Sequence, residues 1–183
     1  PRETKYDYIN FQFGEKIMQL RYFNQPHFEN GSLKLISQVL KEHGISKPLI
    51  CTDPGLVAIG MKDKIRNLMS NELSPTFYTE TPANPTEQAV NDALEIYKQN
   101  DCDGVVGFGG GSSMDLAKTV ALMANHEGNV VDYSVNEGGT GKITETVPTI
   151  AIPTTSGTGS EVSLGAVIIM NDGRKLILAS DHL

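Results

Sequence analysis

The chain has 183 residues, long enough for one substantial domain that would bury roughly 70% of its unfolded surface. Its formal net charge is −7, and its 15 lysines and arginines are scattered, which leaves no basic tract for a phosphate backbone and argues against a nucleic-acid partner. Apolar residues make up 39% of it, without a window of about 18 uncharged apolar residues that could span a bilayer, so no membrane association is expected.

Residues 1–10 are polar, with neither an apolar signal segment nor an Arg/Ser-rich transit pattern, so the chain reads as cytoplasmic. Cys51 and Cys102 lie far apart in apolar-flanked runs without C-x-x-C spacing, the pattern of buried free thiols. Asn30-Gly31-Ser32 fits a glycosylation sequon, but without a signal segment Asn30 reads better as a helix N-cap.

After an irregular N-terminal stretch, residues 32–43 place Leu33, Ile36, Val39 and Leu40 on one helical face, and Gly44 follows as a stop. Residues 48–52 form a short apolar run ended by Asp53-Pro54-Gly55, as expected of a buried parallel strand and its turn. A helix fits residues 57–71, and residues 75–79 form a further short strand. Asn84-Pro85-Thr86 opens a helix through Lys98, with Pro near its start and Glu87 in the first turn. Residues 103–108 form the next buried strand and run into Gly109-Gly110-Gly111-Ser112-Ser113, after which residues 114–123 read as a helix. Residues 148–153 form one more strand, followed by the polar loop of residues 154–160. Two apolar runs, 166–170 and 176–179, flank Asn171-Asp172-Gly173-Arg174, where Asp-Gly marks a hairpin. The alternation defines an α/β domain with a mainly parallel sheet and an antiparallel extension.

Strand, glycine loop and helix together present free backbone N–H groups to an anion, although sharp strand-to-helix turns also use glycine for steric reasons alone. The loop is not the ordinary G-x-G-x-x-G fingerprint, because Ser112 stands where its last Gly would be. Gly138-Gly139-Thr140-Gly141-Lys142 lacks the first Gly and final Ser/Thr of a P-loop, so ATP hydrolysis loses support. Asp53 reads equally as an Asp-Pro-Gly turn or as an acceptor for the vicinal hydroxyls of a ribose. Asp53, the glycine loop and the Thr/Ser loop gather at one edge of a parallel sheet, where open α/β proteins bind ligands.

Gly109-Gly110-Gly111-Ser112-Ser113-Met114-Asp115-Leu116-Ala117-Lys118 resembles one signature of the iron-containing alcohol dehydrogenase family. Pro153-Thr154-Thr155-Ser156-Gly157-Thr158-Gly159-Ser160-Glu161-Val162 resembles its second. Thr52-Asp53-Pro54-Gly55-Leu56 and Asn84-Pro85-Thr86 are similar to that family as well, so the likeness runs from about Phe28 to Leu183.

The resemblance implies a Rossmann-like, mainly parallel sheet with flanking helices and a C-terminal β-hairpin extension, residues 1–183 forming an NAD-binding domain. It implies an oxidoreductase passing hydride between NAD and a small alcohol, with its aldehyde or ketone, in a homo-oligomer. Asp53 would then hold the adenosine ribose. Gly109, Gly110, Gly111 and Ser112 would hold the pyrophosphate, and Thr154, Thr155 and Thr158 the phosphate and nicotinamide side. Asn84 matches a family motif, and Lys175 matches a lysine near the nicotinamide ribose, though it also reads as a solvated strand-end residue. Asp115 would face the nicotinamide pocket, yet Asp115 and Lys118 are spaced for a local ion pair.

The family binds its metal, Fe2+ or Zn2+, in a second, all-helical domain through an Asp and three His, two of the ligands in a D-x-x-x-H motif. The four histidines, His27, His43, His126 and His182, have no Asp four residues upstream, so the chain is expected to be truncated before that domain, with no metal ligand and no assignable catalytic group of its own. One alternative is a polyol or sugar-phosphate enzyme of the group that includes glycerol dehydrogenases and dehydroquinate synthases, against which the second signature speaks. Another is a non-catalytic nucleotide-binding module, should the native chain end here.

Overall fold

The computed structural model describes residues 8–13, 16–21 and 25–183. The chain forms two compact units, Pro1–Ser32 and Leu33–Leu183. In the first, β1 (Tyr8–Phe13) and β2 (Lys16–Arg21) form an antiparallel hairpin with Tyr8 opposite Arg21 and Phe13 opposite Lys16. This replaces the irregular stretch expected there, and Ile9, Phe11 and Phe13 carry the period-two signal of a strand.

The second unit opens with a 3-10 turn (Ser32–Leu35) leading into α1 (Ile36–Glu42), whose N-cap is Leu35 without a side-chain bond. Asn30 therefore does not cap this helix. The chain continues through β3 (Pro48–Cys51), α2 (Pro54–Ala58), α3 (Met61–Leu68), β4 (Thr76–Tyr78) and α4 (Glu87–Gln99). Then follow β5 (Gly104–Gly109), α5 (Gly111–Asn125), β6 (Thr149–Pro153), β7 (Gly165–Ile169) and β8 (Lys175–Ala179). The single helix expected over residues 57–71 is two, because Gly60 at φ 78° interrupts the helical backbone in the left-handed region that glycine enters without penalty. Helix α4 is capped by Thr86, whose Oγ1 accepts from the Ala89 N–H at 3.2 Å, so Pro85 lies outside it.

Strands β4-β3-β5-β6 form a parallel sheet in that order, which brings their carboxyl ends to one edge. Every residue of β3 and β5 is buried, which explains why both read as continuous apolar runs instead of alternating ones. Leu49, Cys51 and Val105 pack on one face with α4, α5 and the β7–β8 hairpin, while Ile50, Val106 and Phe108 pack on the other with Ile36, Leu40 and Ile65. In the hairpin, Ala166, Ile168, Leu176 and Leu178 are buried and alternate with more exposed neighbours.

Both cysteines are buried free thiols, as expected, and burial pushes the Cys51 and Cys102 thiols up. Among the described residues no helix is long and apolar enough to cross a membrane.

Candidate functional site

At the β5–α5 junction the chain turns from strand to helix on glycines. A Cβ on Gly107 would lie 2.8 Å from the Met114 Cα, so only glycine lets the helix pack this close to the strand. Gly109 has φ 157°, and a Cβ there would fall 2.8 Å from the Ser113 Cβ and 3.3 Å from Asp53 Oδ2. Helix α5 begins at Gly111, three residues before the expected start, with Gly110 as an N-cap that offers no side-chain acceptor. The first-turn N–H groups are therefore left for another acceptor, in the positive field of the helix end.

Asp53 follows β3 and caps α2, its Oδ1 accepting from the Leu56 N–H at 3.0 Å. This leaves Oδ2 on the side of Gly109. Asp53-Pro54-Gly55 is thus the capped start of a helix, which leaves one Asp53 carboxylate oxygen beside the glycine loop. Across the sheet edge, the Thr154 N–H donates to the Gly109 carbonyl at 2.9 Å and starts the Thr/Ser loop. A Cβ on Gly110 would meet Thr155 Oγ1 at 3.5 Å, and one on Gly111 would meet Ser160 Oγ at 3.2 Å and the Thr158 Cβ at 3.3 Å. The loop therefore lies directly against the start of α5.

Between these elements lies an open cleft of about 510 Å3, onto which Asp53, Gly110, Ser112, Thr154 and Thr155 converge. Gly111 and Thr158, which lie against each other, are not among the residues lining it, and neither are the exposed Asn84 and Lys175. Ser112 Oγ is engaged within the protein, donating to the Ala83 carbonyl at 2.5 Å.

Asp115 is also outside the lining. Its Oδ1 accepts from Ser160 Oγ at 2.7 Å, and its Oδ2 from the Val167 N–H at 3.0 Å. Lys118, buried one turn later, donates from Nζ to the carbonyls of Ser163 at 2.6 Å and Gly165 at 3.1 Å. The ion pair that their spacing permits is not formed, and both side chains instead tie α5 to the loop after β6 and to β7. Burial holds the Lys118 ammonium below its usual pKa, against the opposing charges of Asp115 and Glu161.

Sequence reasoning missed Thr81 and Ser113, which also line the cleft. Thr81 is 2% exposed, and its Oγ1 has no hydrogen-bond partner among the described residues. Nothing in Thr79-Glu80-Thr81-Pro82 distinguishes that hydroxyl from a loop polar group.

Among the described residues no three His, Cys, Asp or Glu side chains come together in a way that could hold a metal. His126 is taken up structurally, its Nδ1 2.8 Å from the Leu122 carbonyl and its Nε2 accepting from the Thr144 N–H at 3.2 Å. His27, His43 and His182 are exposed.

A four-stranded parallel sheet flanked by helices, with its glycine-turned helix N-terminus and a strand-tip carboxylate at one edge, defines a doubly wound α/β domain. Residues 24–183 match the family model of the iron-containing alcohol dehydrogenases, and the chain belongs to that family. It is 46% identical over 163 residues to the 4-hydroxybutyrate dehydrogenase of Cupriavidus necator, which covers 88% of this chain and 42% of that protein. It is 40% identical over 139 residues to the choline dehydrogenase of Bacillus subtilis, covering 75% of this chain and 35% of the relative. Among solved structures it resembles 1,3-propanediol oxidoreductase (TM-score 0.77, 27% identity) and the sulfoacetaldehyde reductase from Bifidobacterium kashiwanohense in complex with NAD+ (TM-score 0.74, 32% identity). Each of these alignments covers 83% of this chain and 40% of the other. The chain thus spans well under half the length of these relatives.

Proposed function

We propose that this chain is the nucleotide-binding part of an NAD-dependent dehydrogenase that passes hydride between the nicotinamide and a small alcohol, with its aldehyde or ketone. The observation that carries the reading is the meeting of Asp53 Oδ2 with the glycine loop and the uncapped start of α5 in one cleft. A helix N-terminus attracts the pyrophosphate, and a carboxylate beside it accepts from a ribose diol. Asp53, Gly109, Gly110 and Gly111 bind the adenosine diphosphate half, while Thr154, Thr155 and Thr158 guide the chain of phosphate and sugar toward the nicotinamide. On family likeness alone, Lys175 is assigned to the nicotinamide ribose and Asn84 to the cofactor. The relative solved with NAD+ supports the choice of cofactor.

The described residues do not fit a metal, so the contribution of this chain to the reaction is to bind and orient the cofactor. Calorimetric titration of the 183-residue chain with NAD and NADP tests the reading, alongside NADH formation from a panel of short alcohols headed by 4-hydroxybutyrate. NAD is expected to bind more tightly than NADP, and the 183 residues alone to give no turnover. A chain that binds neither nucleotide overturns the assignment.

A further inference from the structure

Of the hydroxyls at or beside the cleft, those of Ser112 and Ser160 are satisfied within the protein. Ser112 Oγ donates to the Ala83 carbonyl, and Ser160 Oγ donates to Asp115. Thr81, by contrast, lines the cleft, and its Oγ1 is buried with no partner among the described residues. Buried hydroxyls are nearly always paired, because losing water without gaining a partner is costly. The backbone fixes where this one lies: the Thr81 N–H donates to the Thr52 carbonyl at 3.2 Å, which seats Thr81 beside the residue that precedes Asp53. In the order of the sheet, the glycine loop follows β5, Asp53 follows β3 and Thr81 follows β4. A ligand with its pyrophosphate on α5 and its ribose at Asp53 therefore extends toward Thr81 with its adenosine end.

We propose that Thr81 is a further nucleotide-binding residue, whose hydroxyl completes its hydrogen bonding on the adenosine diphosphate moiety of the cofactor. The proposal rests on the nucleotide reading of this cleft and adds to it a residue that discriminates for polar groups at that position. A site that presents a buried hydroxyl favours a ligand able to bond it over one that cannot.

Thr81→Val keeps the shape of the side chain and removes the hydroxyl, and Thr81→Ser keeps the hydroxyl. With ADP and NAD titrated calorimetrically into all three proteins, the Val variant is expected to bind both about tenfold more weakly and by the same factor. The Ser variant should return to near the original affinity. The free Val variant should melt no lower than the original, since the hydroxyl it lacks has no partner among the described residues. Unchanged affinity of the Val variant for both nucleotides overturns the proposal, and so does weakened NAD binding with ADP unaffected. Should the Val variant fail to fold, Thr81→Ala against Thr81→Ser gives the same comparison, and equal affinities there overturn it. If the unmodified protein binds neither ADP nor NAD, the nucleotide reading itself fails and this proposal falls with it.

Discussion

Asp115 on α5 and Ser160 beyond β6 meet in a 2.7 Å hydrogen bond, although 45 residues separate them in the chain. With the second carboxylate oxygen on the Val167 N–H, Asp115 holds both the loop that approaches Gly111 and the strand that follows it. Asp115→Ala leaves a hydroxyl and a backbone N–H without their partner, and is expected to cost about 1–3 kcal/mol in denaturant unfolding. Hydrogen exchange at the Val167 amide should accelerate with it. An unchanged rate at Val167, with nucleotide affinity lost, would show that Asp115 serves the ligand instead.

Asp103 performs a similar task at the opposite end of the sheet. It accepts from the Ser46 N–H at 2.9 Å, Ser46 Oγ at 2.6 Å and the Lys47 N–H at 2.7 Å, clamping the start of β3 to that of β5. Burial pushes its carboxyl up, but the bonds from Ser46 and Lys47 outweigh this and hold it below the ordinary 3.8. A carboxyl lowered on folding stabilises the protein above its unfolded pKa, and that contribution is lost as pH falls through the folded value. Asp103→Asn should therefore cost about 1–2 kcal/mol in urea unfolding at neutral pH, and the gap between the two proteins should narrow below about pH 4. A gap that stays constant into acid contradicts the assignment.

The parallel sheet and its ligand edge were legible because strands buried on both faces leave unbroken apolar runs, such as Leu49-Ile50-Cys51 and Val105-Val106, punctuated by Asp-Pro-Gly and by the triple glycine. The split between α2 and α3 was not, since an isolated glycine in a helical pattern is tolerated as often as it breaks one. The state of each hydroxyl was out of reach for a different reason. Ser112 matches the family signature, yet its Oγ is spent on Ala83, while Thr81 matches no family motif and its Oγ1 is buried at the cleft with no partner among the described residues. Which hydroxyl is satisfied depends on how two loops after different strands fold back on each other, and no local pattern encodes that.

Cofactor choice turns on the charge of Asp53, which should repel the 2′-phosphate of NADP. Because Asp53 also caps α2 through the Leu56 N–H, a clean test removes the charge and keeps the cap. Serine is as good an N-cap as aspartate. Asp53→Ser is therefore expected to fold with little loss of stability while the preference for NAD over NADP narrows by about tenfold. Fluorescence titration of both reduced cofactors reads this directly. Tighter NADP binding by the unmodified protein would remove the basis for the assignment.

Gly107 and Gly110 separate packing from binding within the same turn. A Cβ on Gly107 would press against the α5 backbone, 2.8 Å from the Met114 Cα and 3.1 Å from the Ala117 Cβ. Neither neighbour is a flexible side-chain end, so Gly107→Ala should destabilise by about 1–3 kcal/mol as the helix is forced off the strand. A Cβ on Gly110 meets only the Thr155 side chain, at ordinary distances of 3.5 Å to Oγ1 and 3.9 Å to Cβ. Gly110→Val should therefore fold, with its methyl groups in the cleft where a pyrophosphate would approach the first-turn N–H groups of α5. Moving a charged ligand off such donors lowers affinity by roughly tenfold or more. Thermal melts and ADP titrations of the two variants should show opposite patterns, Gly107→Ala losing stability and Gly110→Val losing affinity. If Gly110→Val melts normally and still binds ADP as the original does, the triple glycine is only a turn and the phosphate lies elsewhere.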